Sequence, residues 1–237
     1  MNILFSLIKG APSLFIIALL LGILSHLRNK STKSFEKSKQ DFWDREQSAN
    51  AVRKKDISNL PYVKIPDEVL AIARSYAESS DTDPDKSKYE AALTDLSDKK
   101  ILNLNGKSNT DIKLEYGTAN ITVLSAADNN YTDLISVLSR LGASLYESGQ
   151  YDKARYVLEY SVDIESDVLK SFQLLTDIYE STMSQADADA AKDKLHEKVE
   201  KLDSIRKNAI LRLFEPSDQS SDETDETNKT DDVAGSD

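Results

Sequence analysis

The chain has 237 residues, with 30 basic and 41 acidic side chains, a formal net charge of −11, 7 glycines, 5 prolines and no cysteine. That length holds one ordinary domain with appendages. Scarce Gly and Pro favour helices over a turn-rich sheet fold, and the missing thiols exclude disulfides, thiolate catalysis and Cys-ligated metals. Nine acidic residues and one lysine fall between Glu215 and Asp237, so the rest is close to neutral and lacks the basic face of a nucleic-acid binder.

Ala11–Leu27, "APSLFIIALLLGILSHL", carries no charge unless His26 is protonated. At about 1.5 Å per residue this is the short end for a bilayer core, and the apolar run extends back to Ile3 if Lys9 snorkels to the interface. No small-residue cleavage site follows, so residues 1–28 are expected to be a retained transmembrane anchor rather than a cleaved signal peptide. Arg28, Lys30, Lys33, Lys37 and Lys39 follow the run, against Lys9 and the terminal amine before it. The positive-inside rule then predicts a single-pass protein of the cell membrane with its C-terminal bulk in the cytoplasm. Lys9, Arg28, Lys30 and Trp43 are the candidate membrane-interface residues.

Residues 29–66 read as a juxtamembrane helix and linker. Phe35, Phe42 and Ala49 are seven apart, which aligns them on one helical face. Two readings stand: a solvated stalk docked partly on the domain, or an interfacial helix whose Trp43 and lysines touch anionic headgroups. Leu60-Pro61 and Ile65-Pro66 bracket an extended connector. Asp67 is then expected to cap a helix through "EVLAIARSYAES", and Pro84 to open another through "DKSKYEAALTDLSDKK".

The next stretch is "ILNLNGKSNTDIKLEYG", Ile101–Gly117. Gly106-Lys107-Ser108 ends like a phosphate-binding loop, but that loop needs Gly at 101, where Ile101 stands. Asn105-Gly106 is a turn signal, and Ser108, Asn109 or Thr110 can cap the following helix with Asp111 near its positive end. Asn103, Asn105, Ser108, Asn109, Asp111, Tyr116 and Asn120 exceed what one cap needs. They are the candidate partner-binding residues, beside the plainer reading of turn and cap. Further helices are predicted over 110–127, 131–148, 151–164, 167–183 and 186–213, with short connections that favour antiparallel packing.

Within these, "VLSRLGASLYESGQYDKARYVLEYSV" resembles the tetratricopeptide repeat, a 34-residue helix–turn–helix. Leu141-Gly142 matches its Leu-Gly pair, Leu145 its first-helix aromatic position, Gly149 and Tyr151 the turn, and Ala154, Leu158 and Ser161 the small–large–small series. Leu138, Leu141, Gly142, Leu145, Tyr151, Ala154 and Leu158 are the expected repeat-packing residues. Thirty-four positions on stand Phe172, Leu175, Tyr179 and Ala188, with Thr176 in place of the glycine. The best repeat spans 135–168 and a weaker one 169–202, inside a helical domain of 67–214. Thirty-four positions back, the pattern fails at Lys107. The resemblance implies an all-α, curved scaffold that binds a protein partner in a groove, without catalysis.

The final predicted helix carries Leu195, Val199, Leu202, Ile205 or Arg206, Ala209 and Leu213 at three- or four-residue steps, its first part as a cap on the stack. Residues 215–237 bury too little apolar surface to offset chain entropy and read as a disordered acidic tail. Only His26 and His196 are present, and "DADADAAKD" lacks the Gly and terminal Glu of a calcium loop. No catalytic residue, metal site or cofactor is therefore expected. The expected function is a membrane-anchored, non-catalytic scaffold for a protein partner, with no nucleic acid. The alternative is a self-associating component of a membrane or envelope assembly.

Overall fold

A computed structural model describes residues 19–23, 35–79 and 84–215. The described residues are helical, without strands. The helices are α1 (35–50), α2 (Asp67–Glu78), α3 (Pro84–Ser97), α4 (Asn109–Tyr116), α5 (Ile121–Glu147), α6 (Tyr151–Asp163), α7 (Leu169–Thr182), α8 (Gln185–Glu200) and α9 (Lys207–Leu211), with 3-10 turns at Thr118–Asn120 and Arg212–Phe214. The chain divides into two compact units, Met1–Ile57 with Lys107–Ile121, and Ser58–Gly106 with Thr122–Asp237. The predicted anchor lies outside the described residues except for a helical stretch at 19–23, and the acidic tail lies outside them beyond Glu215. No described helix is long and apolar enough to cross a membrane.

The first unit closes α1 against the segment 107–121. Ala49 and Ile112 are its buried apolar side chains among the described residues. The predicted helix 110–127 breaks at Gly117, whose φ of 87° favours glycine. A Cβ there would also stand 2.4 Å from the carbonyl oxygen of Arg53.

The second unit has an extended apolar cluster built by α2, α3 and α5–α9. Its helices pack as antiparallel pairs compatible with a helical repeat. The 34-residue correspondence shows in burial: Leu138 and Phe172, Leu141 and Leu175, Leu145 and Tyr179, and Ala154 and Ala188 are all buried. Gly142 permits the close crossing of α5 and α6, since a Cβ there would lie 2.4 Å from Leu158 Cδ2. Tyr151 starts α6 and meets Tyr146 edge-on at 5.3 Å. At the end of α5, Gly149 donates to the Tyr146 carbonyl and Gln150 to the Leu145 carbonyl, both at 2.9 Å, a Schellman closure with Gly149 at φ 70°. α6 ends in the same way, but Glu165 takes the left-handed position at φ 66°.

Three further boundaries differ from expectation. Asp67 is the first residue of α2 rather than its cap, which is Pro66. No break occurs at Asp128–Asn130, because Leu124, Ala127, Tyr131, Leu134 and Leu138 keep one continuous buried face. The polar residues there have distant partners: Asp128 accepts from the Leu104 N–H at 3.1 Å, and Asn130 donates to the Lys100 carbonyl at 2.9 Å. The last predicted helix stops at Glu200 and resumes at Lys207. Between them Ser204 accepts from the Arg206 N–H at 3.0 Å, a local bond that competes with helix, and Ile205 is fully exposed rather than packed.

Candidate functional site

The polar residues singled out at 103–120 are divided between the two units. In the second unit, Asn103 accepts from the Asn105 N–H at 2.9 Å, closing the turn, and donates to Glu165 at 3.2 Å. In the first, Ser108 caps α4 in a capping box with Asp111. Asp111 also pairs with Arg45, and Glu46 receives Lys113 and the Thr110 hydroxyl, the latter at 2.8 Å. Asn120 is buried, and its amide donates to the Lys55 carbonyl at 2.8 Å and the Tyr116 carbonyl at 2.7 Å. Tyr116 is half-buried, with Lys107 Nζ 5.4 Å from its ring centroid. Asn109 is exposed, and its side chain makes no hydrogen bond among the described residues. Intramolecular bonds thus employ most of the surplus that cap chemistry left over.

The same bonds set the titration of this unit. The Lys113 ammonium, helped by Thr110, holds the Glu46 carboxyl below its ordinary value. Hydrogen bonds from Ser108, then Arg45, do so for Asp111, and Lys107 does so for Glu115. Lys107 is raised in turn by Glu115. In the second unit burial dominates: it pushes the Tyr160 phenol up to about 12, and raises Tyr131 and Tyr179 as well.

A cleft of about 620 Å³ lies within the second unit, a size typical of ligand sites. One wall is a face of α5, where Thr132, Ser136, Ser139 and Arg140 recur at three- and four-residue steps. The other comes from the segments before α7 and after α8. Ser204 donates to Asp167 at 2.6 Å, tying these two segments together. Asn105 and Gly106 contribute the rim, where a Cβ at 106 would fall 2.1 Å from Asp203 Oδ2, so the Gly106 turn and Asp203 are in intimate contact. Arg140 and Arg206 border the cleft, and neither guanidinium has a carboxylate partner within 4.0 Å among the described residues. Ile205 adds a wholly exposed aliphatic side chain beside them.

Of the seven candidate residues, Asn105 lines this cleft, and Asn103 and Asn105 line a neighbouring hollow of about 70 Å³ with Glu165 and Asp203. Sequence reasoning missed Arg140 and Arg206. The signal was a largely polar stripe, Thr132, Ser136, Ser139 and Arg140, on a helix whose other face is core, together with the helix break at 203–206. His26 lies outside the described residues, and His196 is half-buried, edge-on to Phe214 at 5.4 Å. Among the described residues, no group of three or more histidine and carboxylate side chains could hold a metal ion. The cleft therefore offers forked donors, hydroxyls and carboxylates arranged for hydrogen bonding. No family model, curated protein or solved structure matches the chain.

Proposed function

We propose that this protein is a non-catalytic scaffold, tethered to a membrane by residues 1–28, whose tetratricopeptide-like second unit holds a protein partner on its cytoplasmic side. The observation that carries the reading is the cleft beside α5. Its Arg140 and Arg206, unpaired among the described residues, with the hydroxyls of Ser136 and Ser139, suit the carbonyls and carboxylates of an extended peptide. Exposed Ile205 supplies an apolar contact at its edge. The repeat reading is supported by the 34-residue recurrence of buried positions, and the tether by the uncharged run Ala11–Leu27 with the basic residues after it. The non-catalytic part of the reading is supported by a cleft lining that holds carboxylates but, among the described residues, no histidine.

Crosslinking and affinity capture from native membranes test this with the Arg140→Ala/Arg206→Ala double variant. Both side chains are exposed, so the fold should stand. Loss of a partner that the unaltered chain captures is expected. Undiminished capture by a helical, folded double variant would remove the cleft from the account.

A further inference from the structure

Phe35, Phe42 and Ala49 stand in one row along α1 at seven-residue steps. The row is covered at one end only. Ala49 is fully buried, next to Arg45 and Glu46, which bind Asp111 and Lys113 of α4. Phe42 and Phe35 are 56% and 67% exposed. Trp43, edge-on to Phe42 at 5.5 Å, is 57% exposed. Three large rings left open within nine residues form a patch rather than scattered exposure.

Chain length and charge say what covers it. Phe35 follows Leu27, the end of the uncharged run, by eight residues, which reach at most about 28 Å. Arg28, Lys30, Lys33, Lys37 and Lys39 stand there against Glu36 alone before Asp41. Aromatic rings among lysines, this close to an apolar run, are the composition of a helix lying in the interface of an anionic bilayer.

We propose that the α1 face bearing Phe35, Phe42 and Trp43 lies in the headgroup region of an anionic membrane, with Lys39, which shares that face, on its phosphates. The placement rests on the membrane reading given above. The bilayer covers the first turns of the stripe, as the segment 107–121 covers its last. The apolar row thus has one cover from protein and one from lipid.

Trp43 is the only tryptophan, so its fluorescence in the full chain reports this face directly. The chain is mixed with vesicles of phosphatidylcholine alone or with phosphatidylglycerol, with bromine near the carbonyl end or near the tip of the acyl chains. Flotation is read before and after an alkaline carbonate wash. The expected result is loss of Trp43 emission to the shallow bromine, greater with phosphatidylglycerol, and reduced by Lys39→Glu. Washed vesicles that retain the chain while Trp43 stays open to aqueous acrylamide would overturn the interfacial helix and leave the anchor standing. Loss of the chain on washing, with Trp43 quenched beforehand, would do the reverse. Shielding of Trp43 that follows protein concentration and ignores bromine would assign the face to a second copy and overturn the proposal.

Discussion

The unit formed by Met1–Ile57 and Lys107–Ile121 buries Ala49 and Ile112 and closes through ion pairs, a capping box and the Asn120 amide. The other unit buries the rows Leu138–Leu141–Leu145 and Phe172–Leu175–Tyr179 and uses hydrogen bonds mainly at its helix ends and tyrosines. Burial of large apolar side chains stabilises by about 1.5–3 kcal/mol each, whereas exposed ion pairs contribute about 0–1 kcal/mol. The difference teaches that the first unit takes its shape from directional polar bonds with little energetic margin, and the second takes its stability from packing.

The largest break should come from the packed unit. Phe172 is fully buried, and Phe172→Ala should cost about 3–5 kcal/mol, read from denaturant unfolding of the full chain in detergent. A cost near that of a surface substitution would contradict the assigned core. Next is Asn120→Ala, which takes the amide donor from the Lys55 carbonyl and leaves the Tyr116 carbonyl only the Lys55 N–H, and should cost about 1–3 kcal/mol. Its effect should appear as faster amide exchange in α4 while α5–α8 keep their protection.

pH separates the units by sign. Glu46, Asp111 and Glu115 are lowered, so their contribution is whole above the ordinary carboxylate range of about 4 and is lost as pH falls through their lowered values. Tyr160 is raised from 10.0 to about 12, so its contribution is whole below pH 10 and is lost as pH rises through 12. Protection factors corrected for intrinsic exchange should fall first in α4 on acidification, and in the second unit only in alkali. Simultaneous loss in acid would erase the distinction. The smallest effect is a gain: Glu165→Gly should stabilise the end of α6 by up to about 1 kcal/mol, because glycine takes φ 66° without strain. A shift in the midpoint of unfolding would read it.

Much of the second unit was legible because its periodicity is local: the buried pairs 34 residues apart are the residues that recur in the sequence. Gly142 and Gly149 carry their own reasons, a crossing and a turn. The continuity of α5 was not legible, because the partners of Asp128 and Asn130 lie 24 and 30 residues away and remove the penalty for polar residues in its middle. The surplus around Asn120 was visible, but its purpose was not, since Lys55 is 65 residues distant. The cleft was hidden for the same reason: its walls come from α5 and from the segment after α8.

Site-specific photocrosslinking tests the central claim of a partner held in that cleft. A photoreactive residue at Ser136, on the cleft face of α5, is compared in native membranes with one at Asp152, exposed on α6 outside it. The account predicts a discrete protein adduct from position 136 that is absent from 152 and lost with Arg140→Ala/Arg206→Ala. An adduct from 152 without one from 136, or adducts indifferent to the arginines, would contradict it.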